Sequence, residues 1–246
     1  MILKTKLFGH VYEFKSVCEV MAKANEEKSG DKLAGIAAET AEERVAAKVV
    51  LSHLTLNDLR NSPAVPYEED EVTRIIQDAV NETIFNEFKN MTVAEFREWL
   101  LDERTTTEMI RHASRGLTSE IVAGVCKLMS NLDLIYAAKK MRVSAHCNTT
   151  IGLPGTFSSR LQPNHTTDDP KGIIASVMEG LSLGCGDAVI GLNPVDDSLE
   201  SVARILKMFD EFKRKWEIPT QICVLAHVTT QTAAADKLGA PLDLMF

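Results

Sequence analysis

The feature that most constrains this chain is a change of pattern near residue 145. Before it, apolar residues recur at helical spacing between polar breaks; after it, short apolar runs alternate with amphipathic helical stretches. Strands separated by helical crossovers imply parallel βαβ units. The pattern therefore predicts two parts: a helical region over 1–144 and a parallel α/β region over 145–246.

In the first part, LAGIAAETAEERVAAKVVLSHL reads as one helix ending near Leu54, followed by a new start at Thr55. NSPAVPYEED is a turn or extended link, marked by Pro63 and Pro66. Three helical stretches follow, EEDEVTRIIQDAVNETIFNEFKNM, TVAEFREWLLDE and TTTEMIRHASRG. Thr92 with Glu95, and Thr105 with Glu108, have capping-box spacing. Thr118 or Ser119 offers a cap for the next helix, and a last one runs through LDLIYAAKKM.

In the second part, an extended segment over Asn148 to Leu153 is expected as the first strand. Pro170 suits an early position of the helix after it. DAVIGLN and QICVLAHV read as buried parallel strands, and LDLMF as the start of another. Ending inside a strand signal, the sequence predicts either a small open sheet or a barrel cut near its middle. Eight βα units need roughly 250 residues, and only about 100 follow the helical region.

Parallel strands place ligands at their carboxyl ends. The candidates there are Arg160, Gln162 and Asn164, then Asn193, then His227, Thr229 and Thr230. These groups can hydrogen-bond a small polar substrate but contain no evident nucleophile–base pair. Each has a plainer use as a loop-fixing or salt-bridged residue. His146 and Cys147 are adjacent and point to opposite faces of a strand. His165 with Asp168 and Asp169 reads as a solvated loop. GLSLGCGDAVIG has its glycines before a strand, the wrong context for a dinucleotide fingerprint.

A net charge of −8 argues against general nucleic-acid binding. No apolar run approaches the roughly 18–20 residues of a membrane span. Five scattered cysteines with no C-x-x-C pair indicate neither a disulfide framework nor a zinc site, as in a cytosolic protein.

LKTKLFGHVYEFKSV, EKSGDKLAGIAAETAEERVAAKVVL, YEEDEVTRIIQDAVNETIF, NTTIGLPGTFSSRLQPN, GDAVIGLNPVDD and IPTQICVLAHVTTQ together resemble the heavy chain of ethanolamine ammonia-lyases, in collinear order across the whole chain. The resemblance implies an α/β fold, an N-terminal all-helical region followed by the first half of a (β/α)8 TIM-type barrel. It implies an adenosylcobalamin (cobalt) radical enzyme that converts ethanolamine to acetaldehyde and ammonia. A light (small) chain and further heavy chains would be its partners, in the cytoplasm or inside a bacterial microcompartment. By motif match, Arg160 would be catalytic and would favour the substrate hydroxyl. Gln162 and Asn193 would hold the amino group, Leu161 would lie in the substrate-contacting stretch, and Pro194 would meet the cobalamin. The family's substrate-binding glutamate and aspartate have no counterpart in these residues. The alternative is a non-catalytic chain that retains only assembly contacts; a small phosphate-binding α/β enzyme would need a phosphate loop or basic cluster that is not found.

Overall fold

A computed structural model describes residues 2–245, in two compact units that meet in sequence at Arg142 and Val143.

The first unit is not all helical, contrary to the expectation from sequence. It opens with an antiparallel hairpin, β1 (Lys4–Leu7) and β2 (His10–Glu13), with Thr5 opposite Tyr12 and Leu7 opposite His10. The turn residues Phe8 and Gly9 both have positive φ, 52° and 80°. That is the mirror-image two-residue turn whose twist suits a hairpin. Leu3, Leu7 and Tyr12 pack against the core of the unit, so the ribbon is anchored by its apolar side.

Ten helices follow: α1 (Val17–Lys23), α2 (Ser29–Leu33), α3 (Ala41–His53), α4 (Leu56–Arg60), α5 (Glu71–Asp78), α6 (Glu82–Phe88), α7 (Val93–Leu101), α8 (Thr107–Ser114), α9 (Ser119–Lys127) and α10 (Asn131–Lys140). Side-chain caps divide what periodicity alone would merge. Thr40 accepts the Glu43 N–H and starts α3 afresh, so the stretch from Leu33 to Leu54 is not one helix. Asn81 accepts the Ile84 N–H and separates α5 from α6. The Thr92–Glu95 capping box forms. The Thr105–Glu108 box does not: Thr106 caps α8, and buried Thr105 donates its hydroxyl to the Trp99 carbonyl at 2.5 Å. Thr118 caps α9. The core gathers Val20, Leu51, Leu56, Leu59 and Ile121, none more than 1% exposed, each contributing roughly 1.5–3 kcal/mol of burial. Phe88, Phe96 and Trp99 extend it as a ring cluster with centroids 5.0–5.7 Å apart.

The second unit begins with a short antiparallel hairpin, β3 (Ala145–His146) and β4 (Thr150–Ile151). The segment over Asn148 to Leu153 is therefore not a strand of the parallel sheet. That sheet has the order β5 (Arg160–Leu161), β6 (Val189–Leu192), β7 (Gln221–Val224), with Leu161 beside Ile190 and Ile190 beside Ile222. The crossover helices are α11 (Pro170–Ser182) and α12 (Leu199–Lys215), and α13 (Val228–Leu238) follows β7. Asp169 and Ser198 cap α11 and α12. Ile173 and Val177, Leu206 and Phe209, and Ala234 share one core with Ile190, Leu192, Ile222 and Val224. All three helices thus cover one face of the sheet.

The hairpin packs at the amino ends of the strands. Its Thr149 N–H donates to the buried Gln221 amide oxygen at 2.9 Å, and Gln221 Nε2 donates back to the Thr149 hydroxyl. Residues Leu242 to Met245 form no strand. The Asp243 carboxylate instead accepts the Ile222 N–H at 3.0 Å and the Lys213 ammonium at 2.5 Å, so a side chain occupies an edge donor where a strand was expected. Phe246, the end of that expected strand, lies outside the described residues. The sheet is open, and no closed barrel is present among the described residues. No described helix is long and apolar enough to cross a membrane.

Candidate functional site

Strand alternation divides β5 between two environments. Leu161 turns toward the helices and packs against their core; a Cβ placed on Gly180 would stand 2.4 Å from its Cδ1. Its side chain is thereby committed to packing, and only its main chain lies along the opposite face. Arg160 lies on that face.

Its guanidinium lies over Gly191 of the adjoining strand. A Cβ placed on Gly191 of β6 would stand 2.9 Å from Arg160 Nη2 and 3.2 Å from Nε. The same Cβ would stand 2.5 Å from the Sγ of Cys223, which pairs with Gly191 in register. The guanidinium therefore rests against bare backbone at Gly191, in a space that glycine alone leaves open. Burial pushes the Cys223 thiol up, and the Arg160 charge pulls it back in smaller measure. The thiol stays protonated near neutral pH and is not a nucleophile.

Gln162 and Asn193 follow at the carboxyl ends of β5 and β6, both exposed. By alternation Gln162 continues the side of Arg160, and Asn193 the side of Gly191. The Gln162 carbonyl accepts the Asn164 N–H at 2.9 Å, and Asn164 Oδ1 accepts the Asn193 N–H, also at 2.9 Å. Gln162 and Asn193 thus lie at the carboxyl end of one sheet, and the Arg160 side chain, whose backbone pairs with Val189, extends along the same face to Gly191; Pro194 is half-buried beside Asn193. The face offers a fixed cation and two amides, which can accept from and donate to a small polar molecule.

The other sequence candidates have local work. His227 caps α13, its Nδ1 lying 2.7 Å from the Thr229 hydroxyl and accepting the Thr229 N–H. His165 Nδ1 accepts the Thr167 and Asp169 N–H groups and shapes a loop. His146 pairs with the Thr150 hydroxyl within the hairpin. Gly184 and Gly186, both at positive φ, form the turn from α11 into β6. Sequence reasoning missed Gly191. Its signal was present as a glycine inside the apolar run VIGL, two residues before Asn193, where a strand interior normally disfavours glycine.

A one-sided parallel βα layer with two amides at its carboxyl edge and a guanidinium on the open face beside them has the arrangement of a ligand-binding α/β layer. The family model for the ethanolamine ammonia lyase large subunit (EutB) matches residues 12–246, and the chain belongs to that family. It is 57% identical over all 246 residues to the ethanolamine ammonia-lyase large subunit of Escherichia coli (strain K12), covering 54% of that protein. The large subunit of Salmonella typhimurium strain LT2 matches with the same identity and coverage. The chain spans about half the length of these relatives.

Proposed function

We propose that the chain is the part of an ethanolamine ammonia-lyase large subunit that holds the hydroxyl of the substrate through Arg160 and helps orient its amine through Gln162 and Asn193. The observation that carries this reading is the seating of Arg160 against Gly191, with Gln162 and Asn193 at the ends of the same two strands.

The second unit is proposed as one sector of a (β/α)8 barrel. Its strands run in sequential order, and its helices all cover one face. A doubly wound sheet would carry helices on both faces. The helix-free face, with Arg160 and Gly191, then becomes the barrel interior, and Asn193 its mouth.

In this reading Arg160 donates to the substrate hydroxyl oxygen. A permanently charged guanidinium stabilises negative charge developing there without exchanging a proton. Gln162 and Asn193 orient the amine end through their amide oxygens, which matters because hydrogen transfer between carbon centres depends on distance. These three groups are neutral or cationic, so a substrate ammonium also calls for carboxylates. In this reading the later part of a large subunit would supply them. Leu161 would contribute main-chain contact.

Adenosylcobalamin is the cofactor of this reading. Among the described residues no group of three or more His, Cys, Asp or Glu could hold a metal ion. A corrinoid carries its cobalt within its own ring, so the chain needs to supply packing contact. The stretch at Pro194 fits: it is half-buried, uncharged, and followed by Val195, which is 65% exposed. When bound, the cofactor supplies the radical that removes hydrogen from the substrate carbon. The partners would be the small subunit and further large subunits, in the cytoplasm or a microcompartment.

The test is Arg160→Ala in the assembled large- and small-subunit enzyme. Acetaldehyde formation should fall by about 100-fold or more, with an unchanged circular-dichroism melt. Near-normal turnover by the folded variant would overturn the assignment.

A further inference from the structure

Two side chains from the segment after β5 hold the segment after β6. Asn164 Oδ1 accepts the Asn193 N–H at 2.9 Å. Asp168 Oδ2 accepts the Val195 N–H at 2.8 Å and the Asp196 N–H at 3.1 Å. Pro194, between them, has no N–H, so every backbone N–H from 193 to 196 ends on these two side chains. Asp168 is only 3% exposed, with φ at +50°. Its other oxygen, Oδ1, is buried with no hydrogen-bond partner among the described residues. A left-handed backbone and a half-satisfied buried carboxylate both oppose folding, and such strain persists where surrounding structure enforces it, commonly at functional sites. The Asn164 main-chain N–H also donates to the Gln162 carbonyl, so one residue touches both amide residues of the site, Gln162 through its backbone and Asn193 through its side chain.

We infer that Asn164 and Asp168 are positioning residues. They set the Asn193–Pro194 corner relative to Arg160 and Gln162, and so fix the orientation of the amino alcohol held there. The inference rests on the reading of Asn193 as a substrate-holding residue.

Two pairs of variants in the assembled enzyme separate the acceptor role from the backbone role. Asp168→Gly keeps the left-handed φ but removes the acceptor, whereas Asp168→Asn keeps both. Asn164→Ala and Asn164→Asp do the same for the second contact, at an exposed position that does not endanger folding. The readouts are hydrogen exchange at Asn193, Val195 and Asp196, and kcat and KM for ethanolamine. In Asp168→Gly, exchange at Val195 and Asp196 should rise at least about tenfold and kcat/KM should fall about 100-fold, mainly through kcat. Asp168→Asn should stay within roughly fivefold of wild type in both, because a neutral acceptor is weaker but present. Asn164→Ala should lose about tenfold in kcat/KM, restored by Asn164→Asp. Wild-type kcat/KM in Asp168→Gly, or equal losses in the Gly and Asn variants, would overturn the positioning role alone. A wild-type enzyme inert toward ethanolamine would overturn the substrate reading and the positioning role together, while the exchange pattern would still report the clamp.

Discussion

A methyl group at residue 191 would compete for space with the Cys223 sulfur on one neighbouring strand and the Arg160 guanidinium on the other. The sulfur belongs to a fully buried side chain with little room to retreat, so the arginine would move. Gly191→Ala should therefore destabilise the protein by about 1–3 kcal/mol, the usual range for overfilling a packed site. It should also lower turnover, although residue 191 makes no proposed contact with substrate. Thermal unfolding and ethanolamine kinetics on the same variant check both parts, and unchanged turnover would contradict the proposed seat for Arg160. Arg160 and Gln162 stood out as residues after an expected strand over 148–153, whereas Arg160 lies within β5 itself; only Asn193 was legible as the end of an expected strand. The roles of Gly191 and Asp168 were not, because each depends on a neighbour about 30 residues away in the chain.

At the scale of elements, helix caps carried the readable signal. Thr92 and Glu95 form their box as spaced, and Asp169 with Pro170 opens α11. Boundaries failed where two threonines competed, at Thr105 and Thr106, and where a cap interrupted an unbroken apolar period, at Thr40 and Asn81. The hairpin of β1 and β2 escaped notice because four-residue strands give periodicity little length to work on. The segment around Thr150 carries the local pattern of a parallel strand although it pairs antiparallel, because extended backbone has the same local pattern in either pairing. One cap also makes a pH prediction. The Ser130 N–H donates to the Asp133 carboxylate at 2.9 Å, and the Arg97 guanidinium reaches it at 2.8 Å. Chiefly through the Ser130 amide and then Arg97, its pKa is held down at about 2, below the usual 3.8. A depressed carboxylate contributes stability fully above the unfolded value and loses it as pH falls through the folded one. The melting temperature should accordingly decline between about pH 4 and pH 2, and Asp133→Asn should flatten that part of the profile. An unchanged slope in the variant would assign the acid sensitivity to other groups.

At the scale of the whole molecule, the division near residue 145 was visible as a change of hydrophobic period, and the family was visible in long collinear blocks. What the sequence left open was which face of the sheet the helices cover; that depends on long-range packing of α11, α12 and α13. Their common face turns Arg160 and Gly191 toward the other side, and it is the main support for a barrel sector. The most direct measurement is electron paramagnetic resonance on a large subunit carrying this sequence, assembled with small subunit and adenosylcobalamin, before and after ethanolamine is added. A cob(II)alamin–radical signal should appear with ethanolamine and be lost in Arg160→Ala. Silence with ethanolamine, in assembled samples that contain bound cofactor, would overturn the proposed function.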